Sequence, residues 1–180
     1  ISQHILGGWR LSGILSISAG SPFSVRSSGR NAPDLSRSVG QQRPDLVAGR
    51  SNSNITSGTT AGCNFGNSAV APGQKLGGVD LYFDPCAFFL PPPGYYGNAG
   101  RNILIGPGFA NLDLSLSKSI PVGINEESKL QIQADVFNLA NRANFGLPDA
   151  IVLNPANGAL VAGAGRINTT RAQEIGRAHV

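Results

Sequence analysis

The sequence predicts an all-β fold: a partial antiparallel transmembrane β-barrel carrying long extracellular loops. Three observations point there. Residues 108–120 (GFANLDLSLSKSI) and 129–137 (KLQIQADVF) alternate polar and apolar side chains with period two, the pattern of strands with one greasy and one wet face. Only 13% of residues are charged, against roughly 25% in an ordinary soluble domain, so the wet faces are built from Ser, Asn and Gln. The connections between alternating segments are either very long or short, the asymmetry a membrane barrel requires.

The elements follow in order. Residues 8–19 (GWRLSGILSISA) put Trp9, Leu11, Leu15, Ile17 and Ala19 on one side. Arg10, Ser12, Ser16 and Ser18 fall on the other, with Ile14 as the exception. Trp9 stands where a member of an interfacial aromatic girdle would stand. Ser21-Pro22 marks a bend, and residues 23–26 extend the strand beyond it. Residues 27–107 are dense in Ser, Asn, Gly, Pro and Arg. About eighty residues without clear elements is too long for a connection inside a compact soluble domain and reads as an extracellular loop. Residues 109–120 and 129–139 are expected to pair as an antiparallel hairpin across the periplasmic turn 121–128 (PVGINEES), with Leu112, Leu114, Leu116, Leu130, Ile132, Ala134 and Val136 on one face. Both strands reach the about 9–11 residues that cross a bilayer. The alternation alone fits a second reading equally well, a secreted or surface β-sandwich for adhesion or glycan binding; the loop asymmetry favours the barrel. No apolar run reaches the ~18 residues of a transmembrane helix.

The chain is expected to be a fragment. It begins at Ile1, contains no Met and shows no secretory signal. Residues 174–180 (EIGRAHV) read as a translated sequencing adapter, so residues 1–173 are taken as the C-terminal part of a barrel domain.

A search for chemistry returns little, and no enzymatic activity, cofactor or metal is expected. Phosphate-loop, dinucleotide-binding and nucleophile-elbow patterns are absent from the sequence. His4 and His179 are the only histidines, too few for a His-based triad or metal site. Asp113 and Asp135 sit on wet faces of neighbouring strands, either as a carboxylate pair in the lumen or, as we favour, as solvated lumen residues. Gly106-Pro107-Gly108 reads as a turn feeding the strand.

Cys63 and Cys86 are the only cysteines. An even count in a loop facing an oxidising exterior favours a disulfide over two free thiols. Tyr82, Phe83, Phe88, Phe89, Tyr95 and Tyr96 gather half of the chain's aromatic residues into one stretch. They form either a ligand-contacting surface or, as we favour, a hydrophobic cluster pinning the loop, with Pro91–Pro93 as a stiff spacer. The net charge of +4 comes from loop arginines: Arg26, Arg30, Arg37, Arg43, Arg50 and Arg101. They form no stripe and no aromatic platforms alternate with them, so nucleic acid is not expected. Contact with anionic lipopolysaccharide or anionic ligands fits them better.

Residues 97–109 (GNAGRNILIGPGF), then Leu112-Asp113-Leu114-Ser115, Phe137-Asn138-Leu139 and Asn144-Phe145-Gly146 resemble the C-terminal barrel region of Oar-like TonB-dependent receptors. Gly7-Gly8-Trp9, Ser21-Pro22-Phe23, Phe83-Asp84-Pro85 and Gly165-Arg166-Ile167 match the family in order. The resemblance implies a barrel of about 22 strands closed by a plug, moving a ligand across the outer membrane with energy passed on by TonB. Plug and TonB box would lie upstream of Ile1. The family's final strand, ending on an aromatic residue, would follow where the adapter begins; without it the chain is expected to form no functional pore.

Overall fold

The computed structural model describes residues 7–27, 42–63, 74–122 and 128–171. Among them nine strands occur in chain order: β1 (Trp9–Ser18), β2 (Pro22–Phe23), β3 (Arg26–Ser27), β4 (Asp45–Leu46), β5 (Phe88–Phe89), β6 (Leu104–Ile105), β7 (Phe109–Pro121), β8 (Lys129–Val136) and β9 (Ile151–Leu153). A single 3-10 turn, Pro85–Ala87, precedes β5, and no α-helix is present among the described residues. His4, Arg30, Arg37, His179 and residues 174–180 lie outside them. The chain divides into two compact units.

The first unit, drawn from Ile1–Ala19, Gly108–Asn144 and Arg171–Val180, holds the three long strands. They form one sheet in the order β1-β7-β8, antiparallel throughout. The register fixes which side chains share a face, because directly opposed residues of paired strands point the same way. Leu11 opposes Leu116, Gly13 opposes Leu114 and Leu15 opposes Leu112; Leu114 opposes Val136, Leu116 opposes Ala134 and Ile120 opposes Leu130. All the apolar residues predicted to share a face do so. Ser12 opposite Ser115 and Ser16 opposite Asn111 line the other face, where Ile14 stands opposite Asp113.

The apolar face of this sheet is left uncovered, as it would not be in a soluble one. Leu11, Ile17 and Ile132 are 69%, 72% and 56% exposed, whereas Asn111 and Ser117 on the wet face are 4% and 8% exposed. A leucine-rich face this bare marks a surface made for an apolar environment. A sandwich would cover it.

The two ends of the sheet also differ. β7 ends at Pro121 and β8 begins at Lys129, and between them the Val122 N–H donates to the Ser128 carbonyl at 2.9 Å. At the other end β1 runs into the long connection that returns as β7, and β8 runs into a second one. The predicted hairpin extends to Leu139, but β8 stops at Val136. Asn138 (φ 49°) and Asn141 (φ 45°) take left-handed backbone, which asparagine tolerates and a strand does not. The Asn138 N–H donates to Asp113 Oδ1 at 2.8 Å, and the Leu139 N–H reaches the Leu112 carbonyl at 2.8 Å. Asn144 then stands in for a strand residue: its Oδ1 accepts from the Ala110 N–H at 3.0 Å and its Nδ2 donates to the Ala110 carbonyl at 3.1 Å.

The second unit, Gly20–Pro107 with Phe145–Thr170, corrects the reading of residues 27–107 as a connection without elements. It folds around a core of its own, in which Val25, Ile55, Phe83, Ala99, Val152 and Ala164 are fully buried. Its strands are two or three residues long: β2 pairs antiparallel with β6, β4 antiparallel with β5, and β3 parallel with β9. Such pairs leave no alternation for a sequence to display. Residues from beyond β8 complete the unit. The Tyr82 N–H donates to the Gly165 carbonyl and the Ile167 N–H to the Val79 carbonyl, both at 2.8 Å. Two long connections thus fold as one body.

The uncovered apolar face predicts opposite responses at neighbouring positions. Leu114→Arg places a charge on the bare apolar face at mid-strand and should lower the unfolding free energy in lipid vesicles by about 2–4 kcal/mol. Ser115→Arg, on the wet face, should change it by less than about 1 kcal/mol. Denaturant titration of the lipid-embedded protein measures both.

Candidate functional site

The sequence concentrates its unusual residues between Cys63 and Gly97, and the second unit shows what holds them. Phe83 is fully buried and meets Phe23 and Phe88, each with ring centroids 6.1 Å apart, the latter edge-on. Pro85 opens the 3-10 turn as its first residue, a place where the missing N–H costs nothing. Between them Asp84 caps that turn and is itself fully buried.

A buried carboxylate is tolerated only when its oxygens are taken. Oδ2 accepts from Arg50 Nη2 at 2.8 Å, from the Thr60 N–H at 2.8 Å and from Thr60 Oγ1 at 2.6 Å. Oδ1 accepts from the Cys86 N–H at 3.0 Å. Arg50 Nη2 also donates to the Gly58 carbonyl at 2.9 Å. One carboxylate thereby ties together the segments around residues 50, 58–60 and 84–86. Neither Asp84 nor Arg50 stood out by composition; the signal available was the Phe83-Asp84-Pro85 run.

Cys63 and Cys86 are joined as a disulfide with Cα atoms 5.6 Å apart, beside this carboxylate. Their sulfurs and an Asp84 oxygen lie within 4.8 Å of one another. That geometry resembles a metal cluster, but metal ligation needs thiolates, and the sulfurs are spent on each other while Asp84 is filled with protein donors. The arrangement acts as a brace.

The six aromatic residues separate into two groups. Phe83 and Phe88 are core, and Tyr82 is half-buried with its hydroxyl donating to the Ile105 carbonyl at 2.9 Å. Burial pushes the Tyr82 phenol above its usual range, which keeps it protonated as that donor. Phe89, Tyr95 and Tyr96 point outward, the two tyrosines 71% and 63% exposed. The two tyrosines follow a defined turn. Gly94 (φ 87°) and the Tyr95 N–H donating to the Pro92 carbonyl at 3.1 Å make a type II turn with Pro93 at its first corner. On the far side Gly97 is buried so tightly that a Cβ there would collide with the Arg43 and Pro44 carbonyls. The hydrophobic-cluster reading therefore describes half of the set, and the ligand-contact reading keeps the exposed half.

Two arginines assigned to surface charge are structural instead: Arg50 through Asp84, and Arg43 through its Nη1 donating to the Ala99 carbonyl at 2.9 Å. Asp113 and Asp135 are not brought together as a pair. Asp113 accepts from Asn111 and Asn138, while Asp135 accepts from Gln133 and stands opposite Ser115.

A family model described as Outer membrane beta barrel domain matches residues 1–178. No curated protein and no solved structure matches the chain.

Removing one partner of the buried ion pair isolates the other. Asp84→Asn should destabilise the loop unit by about 3–5 kcal/mol, and breaking the disulfide, whose cysteines are 23 residues apart, should cost about 3 kcal/mol. Limited proteolysis within residues 42–63, with and without a reductant, reads both effects.

Proposed function

This chain belongs to the outer membrane beta barrel domain family and resides in the outer membrane, and on that premise we propose that it is the C-terminal barrel portion of a TonB-dependent, Oar-like receptor for ligand uptake. In this reading β1, β7 and β8 are wall strands. Their wet face of Ser, Asn and Gln lines the lumen, and their leucine face meets lipid.

The observation that carries the reading is the folding of both long connections into a single disulfide-braced unit. A barrel wall needs only short connections at both ends, such as the seven residues between β7 and β8. A large ordered body built from the two long connections serves recognition, since functional groups are best held on loops fixed by a scaffold. Its outward aromatics Phe89, Tyr95 and Tyr96 are the ligand contacts we propose. Rigid aromatic side chains with polar tips give contact area at low entropic cost. The protein works by binding and transport, with no chemistry at a catalytic group and no cofactor. Its partners are outer-membrane lipid and lipopolysaccharide, the ligand, and TonB through a box upstream of Ile1.

The purified full-length receptor should bind the periplasmic domain of TonB saturably by surface plasmon resonance and lose that binding when its N-terminal segment is deleted. A full-length protein that ignores TonB would overturn the uptake reading. Replacing both Tyr95 and Tyr96 by Ala should shift stability by no more than about 0.5 kcal/mol while slowing TonB-dependent uptake in cells.

A further inference from the structure

The outward side of the loop unit brings an acceptor, a donor and aromatic rings together on three neighbouring segments. β4 and β5 pair with Asp45 opposite Phe89 and Leu46 opposite Phe88. Directly opposed residues share a face, and Phe88 is core, so Asp45 and Phe89 stand together on the outer side. Along the other flank of β4 runs the stretch 96–99, held by the Ala99 N–H donating to the Pro44 carbonyl at 3.0 Å. Burial alternates there: Tyr96 and Asn98 are exposed, Gly97 and Ala99 buried. Tyr96 and Asn98 therefore point outward beside Asp45.

Asp45 and Asn98 each bind the other's segment with one oxygen and keep the second end bare. Asp45 Oδ1 accepts from the Asn98 N–H at 2.7 Å, and Asn98 Oδ1 accepts from the Leu46 N–H at 2.8 Å. The second bond fixes the amide: its oxygen faces the Leu46 N–H, so Nδ2 is the end left over. Among the described residues neither Asp45 Oδ2 nor Asn98 Nδ2 has a protein partner.

A hydroxyl both donates and accepts. Two neighbouring hydroxyls of one molecule can therefore donate to Asp45 Oδ2 and accept from Asn98 Nδ2 together. The bond to the carboxylate is charge-assisted, about twice as strong as a neutral one. A sugar ring joins such an edge of hydroxyls to a flat apolar C–H face, which the faces of Tyr96 and Phe89 complement. Other ligand classes use only part of this surface. An anion meets the charge of Asp45, an ammonium has no use for an amide donor, and an apolar ligand leaves both polar ends unpartnered.

We propose that Asp45, Asn98, Phe89 and Tyr96 form a saccharide subsite, and that the ligand is a neutral oligosaccharide bearing vicinal hydroxyls. This rests on the reading of the outward aromatics as ligand contacts and gives that ligand a chemical class.

The test titrates the full-length receptor, purified in a detergent without a sugar headgroup, by calorimetry. The probes are maltohexaose, cellohexaose, xylohexaose and mannohexaose, with choline and hexagalacturonate as a cation and an anion. At least one neutral oligosaccharide should bind more tightly than about 1 mM, and more tightly than choline or hexagalacturonate. Asp45→Asn keeps an acceptor for the Asn98 N–H, and Asn98→Asp keeps one for the Leu46 N–H, so each changes only the bare end. Each should weaken that binding about tenfold. Tyr96→Ala should weaken it by a similar factor, and Tyr96→Phe should leave it unchanged. Parental protease resistance within residues 42–63 shows that a variant is folded. The saccharide site is overturned if no neutral oligosaccharide binds, if choline or hexagalacturonate binds more tightly, or if binding survives Asp45→Asn, Asn98→Asp or Tyr96→Ala. The ligand-contact reading fails separately, when the variant with both Tyr95 and Tyr96 replaced by Ala matches the parental rate of uptake in cells.

Discussion

A strand immersed in hydrocarbon has no water to take its backbone N–H and C=O groups, so each must find its partner in a neighbouring strand. In this chain β7 meets that requirement on both edges, with β1 along one side and the hairpin partner β8 along the other. β1 and β8 each turn one edge away from β7, and in a barrel wall those edges are completed by further strands. Because pairing of the backbone is satisfied within the sheet, side chains are left to settle the two environments. In the proposed wall, leucines face lipid and Ser, Asn and Gln face the lumen. The lone departures, Ile14 on the wet face and Lys118 on the greasy one, sit in the middle and near the end of the strands respectively, and only the second is a charge.

The loop unit solves a different problem by different means. It has no long strands to organise it, so its order comes from tight turns, from side chains bonded to backbone and from one buried charge. Asp84 serves as the cap of a turn, the partner of Arg50 and the acceptor of Thr60. The disulfide closes the same neighbourhood covalently. Asn98 works similarly at a smaller scale: its N–H donates to Asp45 Oδ1 at 2.7 Å, and its Oδ1 accepts from the Leu46 N–H at 2.8 Å. Asn102, at φ 53°, turns the chain just before β6. Asp84, Gly97, Asn98, Asn102, Asn138 and Asn144, all within the motifs that carried the family resemblance, each cap, bond or turn the chain at a particular point.

What could be read from the sequence follows from the same division. The three long strands were legible because period-two alternation survives in the chain itself, and the shared face of Leu112, Leu114, Leu116, Ile132 and Val136 came with it. The end of β8 was misplaced because nothing in alternation announces the left-handed asparagines that stop it. The core of the loop unit was invisible because its buried residues, such as Ile55, Ala99, Val152 and Leu153, come in ones and twos on turns and on strands of at most three residues, too short to display a period. Asp84 was passed over because acidic residues are rarely buried without a partner, and its partner Arg50 lies 34 residues away. Lys118 was in plain view: the alternation that groups Leu112, Leu114, Leu116 and Ile120 includes position 118.

The central claim is that the sheet is inside-out, leucines to lipid and serines to the lumen. The most direct measurement places a single environment-sensitive fluorophore at each position from 111 to 117 of the membrane-embedded protein, the disulfide cysteines being replaced beforehand. The account predicts emission that alternates with period two, blue at 112, 114 and 116 and red at 111, 113, 115 and 117. Emission without alternation, or alternation of the opposite phase, would contradict it.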